Sequence, residues 1–244
     1  AADDRDVQHI GQHPLQTLQE TGRRYLFFTN NSSKSSGAYI KKLRSMNCFI
    51  DSSQIMTSGD VMSEYRKHSH PGKTVYLLGT PVLRESFEKA GIHLTEEQPD
   101  LVVVGFDTTL TYHKLERACH YIRSGAEFLA THLDINCPTE DGFIPDGGSF
   151  CAAITLSTGK KPKCVGKPYP ETVEMILEKT GVSKDRIAFV GDRLYTDVAA
   201  GVNNGAAGLL VLTGETKRED LRHAKISPDG VFLSLKEMGE LLRK

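Results

Sequence analysis

Residues Ile187–Asp197 read IAFVGDRLYTD: an apolar run, a glycine, and then two carboxylates, Asp192 and Asp197, about a turn apart. An apolar run that stops at a glycine and gives way to polar residues is the pattern of a buried strand ending in a loop. Asp192 is then expected at the carboxyl end of a strand, and Asp197 in the first turn of the helix that follows. Ligands of open α/β sheets bind beyond the carboxyl ends of the strands, so chemistry is expected here. Asp192 is placed to offer an oxygen to a hard cation such as Mg²⁺. Carboxylates near a helix start are also favoured by the helix dipole alone, which leaves each a structural reading. For Asp197 that reading is to hold Lys167 or Asp192 in place.

Similar runs recur along the chain: RRYLFFT, KTVYLLG, DLVVVGF, AEFLAT and GLLVLTG. Each is a candidate buried strand. Between them lie helical patterns. In YHKLERACHYIRSG the residues Leu115, Ala118, Cys119 and Ile122 share one face before a glycine stop, and Val173, Ile176, Leu177 and Thr180 do the same before Gly181. Alternating strands and helices predict parallel sheets covered by helices, an α/β fold. The polar stretches KHSHPGK (67–73) and TGKKPK (158–163) bracket a middle segment with strands and helices of its own. Residues 72–161 are therefore expected to form an inserted domain, and 1–71 with 162–244 a discontinuous core. His68-Ser69-His70 reads as a solvated turn in the first polar stretch rather than a metal pair.

Two further strand ends carry unusual residues. RRYLFFT runs into TNNSS, Thr29–Ser33, whose amides and hydroxyls suit an anion at a helix start, although Asn and Ser also favour plain turns and caps. In CVGKPYPET, Lys167 sits between a short apolar pair and a helical pattern, where a compact positive charge could meet phosphate oxygens. Most lysines are simply solvated, and only its place beside the other two strand ends singles it out.

The chain has 244 residues, enough for a large core, and 30 Lys+Arg against 31 Asp+Glu give a formal net charge of -1. That balance supplies no basic field for nucleic acid, so a small-molecule partner is expected. Five cysteines without a C-x-x-C pair suggest thiols in a reducing compartment. No apolar run is long enough for a membrane span and the first residues are acidic and polar, so a cytoplasmic protein without membrane partners is expected. G-x-S-x-G, H-E-x-x-H, G-x-x-x-x-G-K-[ST] and G-x-G-x-x-G are all absent.

TNNS, GKP and GDRLYTD, in that order, resemble motifs two, three and four of the haloacid dehalogenase superfamily of phosphatases. VVVGFDTTLTYHKLERA and FLATHLDINCPTEDGFIPDGGSF are similar to the inserted cap of its 4-nitrophenylphosphatase branch, which also holds sugar-phosphate and nucleotide phosphatases. The resemblance covers the chain from about Leu15 onward. It implies a Rossmann-like parallel-sheet core with an inserted α/β cap, and a Mg²⁺-dependent phosphatase acting on a small phosphorylated metabolite through an aspartyl phosphate. It implies that Thr29 binds the phosphoryl group and that Asn30 and Asn31 line the substrate site. Lys167 would neutralise developing charge, Asp192 bind Mg²⁺ and Asp197 support them. Asp134, in the loop His132-Leu133-Asp134, would face the leaving group. Oligomeric state is not readable, and a homodimer through the cap is held open.

One motif departs from the pattern. The family's D-x-D-G-[TV] segment, which carries the nucleophile and the acid, does not occur. Asp4-Arg5-Asp6 lacks the glycine and a preceding apolar strand, and lies too near Thr29. QHPLQTLQETG takes the place of the helix after that motif, which is therefore expected before Ala1. An omitted N-terminal strand is favoured over an evolved loss, because a sheet without its middle strand would leave backbone groups unpaired. The chain as given is expected to be inactive. The alternative is a non-catalytic protein that binds a phosphate ligand.

Overall fold

The computed structural model describes residues 12–243. Asp4-Arg5-Asp6 lies outside them. All six apolar runs contain strands: β1 Phe27–Thr29, β3 Val75–Leu78, β4 Leu101–Val104, β5 Glu127–Ala130, β9 Ala188–Gly191 and β10 Ala207–Val211. The described residues hold five further strands: β2 Ile55–Thr57, β6 Asn136–Thr139, β7 Gly142–Pro145, β8 Lys163–Cys164 and β11 Gly230–Phe232. The chain divides into two compact units. One comprises the described residues up to Phe28, Tyr39–Met56 and the chain from Lys167 on; the other comprises Thr29–Ala38 and Thr57–Gly166. Both are α/β with parallel sheets.

In the second unit a four-stranded parallel sheet has the order β3-β4-β5-β8. Tyr76, Leu78, Val102, Val104, Phe128 and Ala130 pack with Ala118, Cys119, Tyr121 and Ile122 of helix Tyr112–Arg123 and with Cys151 and Ile154 of helix Gly147–Thr158. Their alternates Val75, Leu77, Leu101, Val103 and Leu129 point to the opposite face and are equally buried. A sheet buried on both faces needs apolar side chains at every position, which is why these strands read as unbroken runs. Burying one such Val or Leu stabilises by about 1.5–3 kcal/mol. The antiparallel pair β6-β7 rises from this unit between Asp134 and Asp146.

The helix expected from Leu115 to Ile122 spans Tyr112–Arg123, opened by Thr111 accepting from the Lys114 amide and closed at Gly125, with φ 105. The first polar stretch is a correction. Helix Ser58–Ser69 runs through His68, because Thr57 and Asp60 cap its start reciprocally and Val61, Met62 and Arg66 are buried on its inner side. His70, just beyond it, donates or accepts at Nε2 with Glu127 Oε2 at 3.0 Å. The residues are therefore not a solvated turn, and the chain reverses only at Pro71-Gly72, with φ 75 at the glycine.

The first unit holds the parallel sheet β11-β10-β9. Helix Pro170–Thr180 begins with proline and ends at Gly181, with φ 64, as the apolar spacing expects. Leu194, Val198 and Leu210 form one apolar cluster there, and Tyr39, Leu43, Cys48, Ile50 and Ile55 another. All five cysteines are thiols, and no helix among the described residues is long and apolar enough to cross a membrane.

Candidate active site

β9 ends at Gly191, and Asp192 follows it, buried. Its Oδ2 accepts the Glu215 amide at 2.7 Å and its carbonyl accepts the Thr216 amide at 3.2 Å, so the loop after β10 wraps the carboxylate. Glu215 is itself pinned, with Oε2 2.7 Å from Arg193 Nε and Oε1 accepting the Tyr195 hydroxyl at 2.7 Å. Oδ1 of Asp192 takes no hydrogen bond among the described residues.

Asp197 lies in a single π-helical turn, Leu194–Val198, rather than in the first turn of a regular helix. Such a turn carries an extra residue per revolution and recurs at functional sites. Here it folds Asp197 back beneath the strand end. A Cβ on Gly191 would lie 2.3 Å from the Asp197 Cβ, so only glycine lets the strand pass this close. Oδ2 accepts the Arg193 amide at 3.3 Å, and Oδ1 is ion-paired with Lys167 Nζ. Burial works against the charge on Asp197 and the Lys167 ammonium works for it; the net position is well below the ordinary carboxylate range. Lys167 is 5% exposed. Its Nζ also reaches the Phe28 carbonyl at 3.4 Å and lies 5.2 Å over the Phe28 ring. The structure thus joins Lys167 with Asp197 and, through Gly191, sets Asp192 one residue from that contact.

The second unit carries the TNNSS stretch. The Thr29 Oγ1 accepts the Asn31 amide at 3.1 Å, and Asn31 Oδ1 accepts both the amide and the hydroxyl of Ser33, at 2.9 and 2.7 Å. These overlapping side-chain turns hold the loop in one shape before helix Ser36–Ser45. Asn30 is fully buried; its carboxamide donates to both Asp134 oxygens at 3.3 and 3.4 Å, and its carbonyl accepts the Ser58 hydroxyl at 2.5 Å. Asn30 and Asp134, far apart in sequence, are therefore direct partners.

Sequence reasoning named His132 only as part of the loop carrying Asp134, and missed Asp146. The first follows β5 and is wholly buried, with Nε2 2.7 Å from Asp146 Oδ1. Asp146 also accepts the Gly147 amide at 2.5 Å and opens helix Gly147–Thr158. The one readable signal was Asp146-Gly147-Gly148 at a helix start. Burial first, and then the charge on Asp146, pushes the nearby Cys151 thiol up to about 12, which removes it as a nucleophile.

Models of known families match two stretches: residues 11–93 as haloacid dehalogenase-like hydrolase and residues 164–238 as HAD-hydrolase-like. A 5'-nucleotidase YutF of Bacillus subtilis is 36% identical over 91% of this chain and 87% of its own. The chain belongs to the haloacid dehalogenase-like hydrolases. An acid sugar phosphatase of Staphylococcus epidermidis is 35% identical over 86% of this chain and 82% of its own. The crystal structure of a 4-nitrophenylphosphatase from Thermotoga maritima superposes with a TM-score of 0.90 at 49% identity, covering 93% of this chain and 87% of that one. The first family match spans Thr29, Asn30 and Asn31; the second spans Lys167, Asp192 and Asp197.

Proposed function

We propose that this hydrolase acts on small phosphate monoesters, with Mg²⁺ as its cofactor. The observation that carries the reading is the buried Lys167–Asp197 pair at the end of β9, one residue from the Asp192 carboxylate. A buried ammonium fixed by a carboxylate is a charge held ready for an anion, which is what phosphoryl transfer asks of a protein. Thr29 would bind the phosphoryl group through its hydroxyl, Asn30 and Asn31 would line the substrate side, and Asp134 would contact the leaving group. Residues 72–161 would serve as the cap over a core of 1–71 and 162–244.

The donor chemistry at Asp192 fits a hard cation: one carboxylate oxygen is oriented by the Glu215 amide and the other makes no hydrogen bond among the described residues. Bound there, Mg²⁺ would offset negative charge on the transferring group. Lys167 would do the same from its ion-paired position, and Asp197 would keep that ammonium from swinging away. In the finer reading, which rests on the family resemblance, the phosphoryl group would pass to an aspartate and then to water. The names of the relatives suggest sugar phosphates and nucleotides as the first substrates to try.

The test is phosphate release from 4-nitrophenyl phosphate by the full-length encoded protein. Release with Mg²⁺ that stops on chelation is the expected result. Tight phosphate binding without turnover under any metal would overturn it in favour of a phosphate-ligand binding protein.

A further inference from the structure

Asp146, His132, Thr131 and Ser32 form one buried row of hydrogen bonds inside the second unit. Ser32 Oγ accepts the Phe106 amide at 2.9 Å and stands 3.0 Å from Thr131 Oγ1, which stands 2.9 Å from His132 Nδ1. His132 Nε2 then meets Asp146 Oδ1. The direction of the row follows from counting protons. The Asp146 carboxylate can only accept, so His132 Nε2 carries a proton. In a neutral ring Nδ1 then accepts the Thr131 proton, and Thr131 Oγ1 in turn accepts from Ser32.

The row ties two loops together. At one end is Ser32 of the TNNSS turn. At the other, Asp146 anchors the base of the β6-β7 hairpin, where its amide donates to the Ile135 carbonyl at 2.9 Å and the Gly148 amide donates to the Asp134 carbonyl at 2.9 Å. A Cβ on Gly148 would lie 2.3 Å from the Leu133 carbonyl oxygen, so the loop carrying Asp134 lies directly on this helix start. Asn30 and Asp134 are bonded to each other across the same two loops.

We propose that His132 is a positioning residue: fixed as the neutral Nε2–H tautomer by the Ser32–Thr131 row, it locks Asp146 and so holds Asp134 against Asn30. Ligand atoms of His132, Asp134 and Asp146 all lie within 4.8 Å of one another, a spacing that would also admit a cation. Two donors already share Asp146 Oδ1, however, and Nε2 carries a proton, so the cluster is organised for hydrogen bonding. The kinetic consequence rests on the phosphatase reading above; the structural one does not.

Two conservative variants separate the halves of the row. His132→Gln keeps a donor near the Nε2 position, and His132→Asn keeps an acceptor near Nδ1 but cannot reach Asp146. Amide hydrogen exchange at Asp146, Gly147 and Gly148, with melting curves as the check on folding, is expected to stay near wild type in His132→Gln and to speed up about tenfold or more in His132→Asn. Nitrogen NMR of the wild-type ring at neutral pH should show the Nε2–H tautomer, and Thr131→Val should release that preference. In the full-length protein His132→Asn should raise KM about tenfold with a much smaller change in kcat, and His132→Gln should restore it. An Nδ1–H or doubly protonated ring, a Zn²⁺ ion displacing the Nε2 proton, or equal exchange in both variants overturns the proposal. Absence of turnover alone overturns the phosphatase reading and leaves the exchange and NMR results to decide this one.

Discussion

At the end of β9 the chain buries formal charges of opposite sign against each other, whereas at the end of β5 it buries a row of two hydroxyls and an imidazole that terminates in one carboxylate. Both ends follow parallel strands and both are closed by a glycine that allows a close approach, Gly191 to the Asp197 side chain and Gly148 to the Leu133 carbonyl. The difference lies in what each can give up. A buried ion pair does not recover the full cost of removing two charges from water, so its presence points to use of the charge itself. A row in which each group has a hydrogen-bond partner fixes direction instead, because every hydroxyl in it has one role as donor. The first end is suited to meeting an anion, the second to holding a loop.

The largest break in that comparison comes from Lys167→Met. Removing the ammonium from the buried Asp197 should cost about 3–5 kcal/mol of stability, read from urea unfolding. Adding Asp197→Leu should recover much of the loss, since an apolar pair of similar volume packs without the desolvation penalty. A double variant no more stable than the single would mean the two side chains are not coupled. Next come the glycines: Gly191→Ala and Gly148→Ala should each cost about 1–3 kcal/mol, because a new Cβ overlaps Asp197 in one case and backbone in the other. They should differ under acid. Asp197 sits below the ordinary value, so its contribution is complete above an unfolded value of about 3.9 and fades as pH falls through the lower folded value. Stability measured between about pH 4 and pH 2 should therefore fall less steeply in Asp197→Asn and in Gly191→Ala than in wild type, and unchanged in slope in Gly148→Ala.

The two ends also differed in how far the sequence exposed them. IAFVGDRLYTD shows its strand, its glycine and both carboxylates within one short segment, so local pattern sufficed to single out Asp192 and Asp197. The π-helical turn that brings Asp197 back to Gly191 left no trace, because it depends on the close approach at that glycine rather than on residue type. The row at β5 draws on Phe106, Thr131, His132 and Asp146 as well as on Ser32 of the TNNSS turn, and no local pattern links them. Only tertiary packing makes a row of them. The strands of the second unit were legible because burial on both faces forces apolar residues at every position. β6 and β7 were not, since Pro138 and Pro145 argue against strand and neither strand buries a residue fully. Polar residues in Ser58–Ser69 similarly disguised a helix that is set by its cap at Thr57.

The smallest effect on stability, and the sharpest on the charged end, is expected from Asp192→Asn. The substitution keeps the shape of the side chain and an oxygen for the Glu215 amide, so melting should move little and the circular dichroism spectrum should not change. What it removes is formal charge at an oxygen that takes no hydrogen bond among the described residues. Mg²⁺ affinity measured by calorimetry should fall about tenfold or more, because a hard cation held by few protein oxygens loses most of its attraction with one carboxylate. The same substitution at Asp197 should act differently, loosening Lys167 before it touches the metal. Equal loss of Mg²⁺ affinity in both variants would place the cation between the two carboxylates, and unchanged affinity in Asp192→Asn would remove Asp192 as its ligand.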